Sequence, residues 1–86
     1  MLFAVCFTDR PERYRRREQF LPTHIAWLDR HRRQVLVGGS LRENPAEPPV
    51  GGLWIVAAES KSEVEALIES DPFWSNGLLL SRDAGR

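Results

Sequence analysis

From Leu2 to Phe7 every position is apolar, and the run stops at the turn-forming residues Thr8-Asp9-Arg10-Pro11. This reads as a strand over residues 2–8. A charged stretch from Glu12 to Glu18 then leads into a helical pattern reaching about Arg33. Leu21, Ile25 and Leu28 stand at i, i+4 and i+7, one face of a helix. Pro22 is expected to break or kink that helix, because proline removes a backbone donor and crowds the preceding turn. Residues 34–41, with Val35-Leu36-Val37 followed by Gly38-Gly39-Ser40, read as a second strand. Arg42 to Pro49 holds three prolines and no periodicity, so it is a loop.

Gly51 to Ala58 reads as the third strand. Ser60-Lys61-Ser62-Glu63 fits a capping box in which Ser60 and Glu63 satisfy each other's free donors. The helix it starts carries Val64, Leu67 and Ile68 on one face, and it must end near Asp71, which precedes Pro72. Leu78-Leu79-Leu80 makes a fourth strand. The order βαββαβ is that of a single α+β domain over residues 1–86. A ferredoxin-like sandwich is expected, with a four-stranded, mainly antiparallel sheet and two helices on one face. The strand runs are apolar at nearly every position, which argues that both sheet faces are covered. Two helices cover only one, so a homodimer packed through the sheet face is expected. A sheet left half covered would instead leave Cys6 and Trp54 partly exposed.

Charge narrows the partners. Twelve basic and twelve acidic residues cancel, so net charge gives no reason to expect nucleic acid or a membrane surface. The apolar opening run is too short to span a bilayer and lacks the pattern of a signal peptide. Cys6 is the only cysteine and cannot form an internal disulfide. The expectation is a cytoplasmic protein.

Two polar residues stand among apolar ones: His24 in Leu21-Pro22-Thr23-His24-Ile25-Ala26-Trp27-Leu28, and Asp71 in Ser70-Asp71-Pro72-Phe73. Buried imidazole and carboxylate groups cost free energy unless each satisfies the other. His24 falls at the edge of the core-facing stripe; alone, it reads as a core-edge histidine bonded to a carbonyl. Asp71 alone reads as a turn residue capping backbone donors. If the fold brings them together, Asp71 holds His24 in one tautomer and makes it a general base. Pro72 and Phe73 would orient the carboxylate and exclude water, while Ser40 and Gly39 would lie at the pocket mouth. Arg17 belongs to a basic cluster with Arg10, Arg13, Arg15 and Arg16, which is either a dock for an anionic ligand or a solvated helix face. His31 reads as a surface or capping residue. The Gly38-Gly39 and Gly51-Gly52 pairs do not match a phosphate-binding loop and fit strand bends or close backbone approach. No metal-ligand spacing and no cofactor motif is present, so neither a metal nor a cofactor is expected.

The opening strand, His24-Ile25-Ala26-Trp27-Leu28, Val37-Gly38-Gly39-Ser40, and Asp71-Pro72-Phe73 followed by Gly77-Leu78, taken in that order, resemble the YciI-like (YCII-related) family of the dimeric α+β barrel group. The resemblance implies sheet-to-sheet dimers and places the family's characteristic histidine and aspartate at His24 and Asp71. It also implies a small-molecule site, since some members eliminate HCl from chlorinated hydroxylated aromatics. The Pro-rich loop from Asn44 to Pro49 is expected to shape the entrance.

Three functions compete. The first is an acid/base enzyme catalysing elimination or isomerisation of a small, aromatic or cyclic substrate, with His24 and Asp71 catalytic and Ser40 or an arginine fixing the anionic part. The second is a metabolite-binding or accessory dimer in which the His–Asp pair is structural. The third, RNA binding, requires an aromatic and basic pattern on the third strand, where the chain has Gly52-Leu53-Trp54-Ile55-Val56. The first is preferred because it gives two costly polar groups a joint use.

Overall fold

The computed structural model describes residues 1–85; Arg86 and the side chain of Tyr14 lie outside the described part. Its elements are β1 (Leu2–Asp9), α1 (Tyr14–Arg30), β2 (Val35–Leu41), β3 (Gly51–Ala57), α2 (Lys61–Ser70), α3 (Pro72–Ser75) and β4 (Leu79–Gly85). The strands form one antiparallel sheet in the order β2-β3-β1-β4. This is the expected α+β ferredoxin-like order, with a longer fourth strand and the added short helix α3.

Along β1 burial alternates without a break. Phe3, Val5, Phe7 and Asp9 are buried, while Leu2, Ala4, Cys6 and Thr8 are exposed. The period-two geometry of a strand sends these sets to opposite faces. The buried set meets Trp27 of α1, Val64 and Ile68 of α2, and Phe73 of α3 in one core. Trp54 belongs to this core too, stacked on Trp27 at 5.2 Å between centroids. Only Cys6 of the pair Cys6 and Trp54 is therefore exposed.

Helix α1 runs through Pro22 without interruption. At about 100° per residue, Arg17, Phe20, His24, Trp27, Leu28 and His31 fall in one stripe roughly 100° wide. Trp27 anchors this stripe, and His24 lies near its centre rather than at its edge. Ile25 lies outside it and is 55% exposed, so the Leu21–Ile25–Leu28 face is rotated from the real one. Apolar spacing alone misses the true face because polar residues hold half of its positions. His31 is the C-cap of α1; its Nδ1 hydrogen bonds to the Trp27 carbonyl at 2.7 Å.

Ser60 caps α2, its Oγ accepting from the Glu63 N–H at 3.3 Å. The return half of the box differs from expectation, since Glu63 accepts from the Glu59 N–H at 2.9 Å. Helix α3 ends in a Schellman arrangement: Gly77 has φ +70°, and the Leu78 and Gly77 N–H groups reach the Phe73 and Trp74 carbonyls at 3.0 and 3.1 Å. The left-handed Gly77 turns the chain straight into β4 and leaves Phe73 buried beside α1.

Candidate active site

Small residues open a cavity between α1 and the sheet. On the helix-facing side, Phe7 pairs with Gly52 and Gly52 pairs with Ser40; Gly38 pairs with Trp54. With glycine or serine at three of these positions, no side chain fills the space under α1. The result is a cavity of about 240 Å³. Its wall includes His24, Asp71, Phe73, Arg17, Asp9, Ser40, Gly39 and Arg42.

His24 and Asp71 meet. His24 Nδ1 lies 2.5 Å from Asp71 Oδ1, although 47 residues separate them in sequence. The Asp71 side chain makes no cap bond at the start of α3, where an Asp-Pro turn would ordinarily spend it. Its own carbonyl accepts from the Ser75 N–H at 2.9 Å, so only the backbone serves α3. Asp71 is 1% exposed. With Nδ1–H donating to this carboxylate, His24 Nε2 is left as the proton-accepting nitrogen.

Phe73 and Arg17 extend the wall. The Phe73 ring stacks on the His24 imidazole with centroids 3.9 Å apart, and the Arg17 guanidinium carbon lies 4.9 Å from the Phe73 centroid. Arg17 Nε stands 2.9 Å from Asp9 Oδ2. The N–H does not point along that line, so the contact is an ion pair without an aligned hydrogen bond. Burial raises the Asp9 carboxyl above its ordinary 3.8, opposed by the Arg17 guanidinium beside it and then by the charge of His24.

Of the residues singled out in sequence, His24, Asp71, Ser40, Gly39, Phe73 and Arg17 line one cavity; Pro72 does not. Pro72 opens α3, and its carbonyl accepts from Asn76. From the basic cluster only Arg17 reaches the cavity. Arg10 pairs with Glu12 on the surface, and Arg16 lies over Phe20. None of Asn44 to Pro49 lines the cavity; the adjoining Arg42 does, held by the Glu47 carbonyl at 2.6 Å. Asp9 is not marked by local sequence, since Thr8-Asp9-Arg10-Pro11 has the composition of a turn. Its signal was parity: it continues Phe3, Val5 and Phe7 on the core face.

Among the described residues no group of three or more His, Cys, Asp or Glu is placed to hold a metal ion. No described helix is long and apolar enough to cross a membrane.

The model of the YCII-related domain matches residues 1–84. Among solved structures, this chain is similar to the 5-chloro-2-hydroxyhydroquinone dehydrochlorinase TftG from Burkholderia phenoliruptrix AC1100, in complex with 2,5-dihydroxybenzoquinone. The two share 30% identity and superpose with a TM-score of 0.88, over 100% of this chain and 92% of that one. Among curated proteins no match is found.

Proposed function

The chain belongs to the YCII-related domain family, and we propose that it is a small-molecule enzyme using His24 as general base on a hydroxylated ring. The observation that carries this is the 2.5 Å contact between His24 and the buried Asp71 at the wall of an open cavity. A carboxylate with 1% exposure is costly to keep charged without a partner. Here it fixes the imidazole tautomer and stabilises the imidazolium formed when Nε2 takes a proton.

Size and relatives support the substrate class. A dry cavity of about 150 Å³ holds a benzene molecule, so about 240 Å³ has room for one substituted ring. The similar dehydrochlorinase is named for a chlorinated trihydroxy ring. The reaction proposed is elimination or isomerisation. Nε2 takes a proton from a ring hydroxyl or carbon, and in an elimination the leaving group departs with its bonding pair. Arg17, Ser40 and the backbone at Gly39 would hold the oxygen that gains negative charge.

Chloride release from a chlorinated hydroquinone tests this. His24→Ala is expected to lower turnover by about 10² to 10⁴, the usual range for a lost general base, with the fold intact by circular dichroism. Unchanged turnover overturns the assignment. A wild type that binds such rings and converts none makes the pair a binding device. We further propose that a second copy of the chain covers the open sheet face, where Leu2, Val37 and Leu41 are exposed.

A further inference from the structure

The cavity wall holds a second carboxylate, Asp9, that the His24–Asp71 chemistry does not use. Asp9 ends β1 at a bulge, where Thr8 pairs with Ser81 and Asp9 with Leu79. Strand alternation puts Asp9 on the helix face with Phe3, Val5 and Phe7, the extra residue of the bulge lying in β4, and its carboxylate lines the cavity at 7% exposure. A carboxylate has about four acceptor sites. Among the described residues the side chain's ion pair is to Arg17 Nε, and it is not aligned as a hydrogen bond. Its backbone needs are met separately, by the Val50 carbonyl at 2.9 Å. A buried ion pair is weak evidence for stability, since apolar replacement is often neutral. Oδ2 is enclosed against Arg17, while the carboxylate as a whole lines the cavity, where a donor from outside the chain can reach it.

We propose that Asp9 is a specificity-determining residue that accepts a hydrogen bond from a ligand hydroxyl, so that the cavity selects rings carrying at least two hydroxyl groups. This rests on the reading of the cavity as a small-ring site. His24 meets one hydroxyl. Seven residues earlier on the same face of α1, Arg17 fixes Asp9 to meet the other. Phe73 lies between, against both the His24 ring and the Arg17 guanidinium, and holds the two in place at the cavity wall. Burial favours the neutral carboxyl of Asp9, and Arg17 opposes this. In either protonation state the carboxyl keeps an oxygen that accepts.

Hydroquinone and phenol differ by one hydroxyl on the same ring, and their binding is measured by calorimetry without any need for turnover. Wild type is expected to prefer hydroquinone by about 10- to 100-fold, the range for a hydrogen bond to a charged group. Asp9→Asn keeps a neutral acceptor and is expected to reduce the preference to a few-fold. The double variant Asp9→Leu/Arg17→Met removes the pair without stranding a buried charge and is expected to bind both rings alike. It also serves if the single variant fails to fold. A wild type with no preference, or one that binds neither ring, overturns the proposal, as does an unchanged preference in a folded variant. Selective binding without conversion sinks the catalytic assignment and leaves this one standing.

Discussion

The Phe73 ring lies parallel to the His24 imidazole, with 6° between their planes and 3.9 Å between their centroids. One ring nitrogen is tied to Asp71 and one ring face is pressed on Phe73, so the imidazole has little freedom left. Phe73 also contributes to the core at full burial, and its position depends on the left-handed Gly77 that ends α3. Phe73→Leu keeps an apolar group but removes the stack. It is expected to cost about 1–2 kcal/mol in stability and to lower kcat more than it raises KM. Urea denaturation alongside steady-state kinetics separates the two effects; equal kinetics in both proteins would leave the stack a packing feature.

Asp71→Asn tests the charge without the shape. The amide oxygen can still accept from His24 Nδ1–H, so the fold is expected to survive. The imidazolium would lose its counter-charge, and the amide could turn its NH₂ toward the ring and reverse the tautomer. Turnover is therefore expected to fall by about 10² or more, with the melting temperature within a few degrees of wild type. Turnover close to wild type would separate the hydrogen bond from the chemistry.

The strand order and the His24–Asp71 pair were legible for physical reasons. Apolar runs bounded by Pro and Gly mark strands, and a histidine and an Asp-Pro turn amid apolar neighbours mark costly burial. The helix face was harder to read. Arg17, His24 and His31 occupy the buried stripe of α1, so apolar spacing favoured Ile25, which lies at the cavity rim. Asp9 was hidden by its neighbours, because Asp9-Arg10-Pro11 resembles a solvent turn while the alternation of β1 holds the carboxylate in core register. The cavity was not visible as such; it arises where Gly38, Ser40 and Gly52 share one face, and that depends on register across two strand pairs.

Asp9 should also leave a signature in stability against pH. Its carboxyl is raised in the folded state above the ordinary 3.8, through burial first. Between 3.8 and the raised value the folded chain binds more protons than the unfolded one, so stability falls as pH rises through that window. Its contribution is fully present below 3.8 and lost above the raised folded value. Urea midpoints of wild type and Asp9→Asn across that range give the test. Wild type is expected to lose ground to the variant as pH increases; a trend of opposite sign would mean that the Arg17 charge outweighs burial.

Glycines at the sheet end have unequal roles, and alanine distinguishes them. A Cβ on Gly51 would fall 2.0 Å from the Phe7 carbonyl oxygen, a backbone atom that cannot turn aside, whereas a Cβ on Gly39 meets nothing within 4 Å. Gly51→Ala must push β3 away from β1 and is expected to cost more than about 3 kcal/mol, the upper end for overpacking. Gly39→Ala is expected to fold with near-native stability, because its Cβ would stand on the open sheet face in the row of Leu53 and Cys6. Thermal melts of the two variants check the contrast directly.

The open sheet face carries the last prediction. Across the strands, Val37 pairs with Ile55 and Ile55 with Ala4, while Gly39 pairs with Leu53 and Leu53 with Cys6. These are two apolar rows on the side away from the helices, where Val37 is 55% exposed and Leu2, beside the rows on the same face, 58%. Extended apolar surface of this kind marks an interaction site more often than bare solvent contact, and identical faces suit a two-fold partner. Ala4 is exposed on a strand flanked by β3 and β4, so Ala4→Glu is expected to leave the monomer fold intact. In a sheet-to-sheet dimer it would bury two like charges near the interface, costing several kcal/mol and weakening association more than about 100-fold. Light scattering at micromolar concentration is expected to give a dimer mass for wild type and a monomer mass for the variant. A monomeric wild type would mean that the apolar rows face solvent or a different partner.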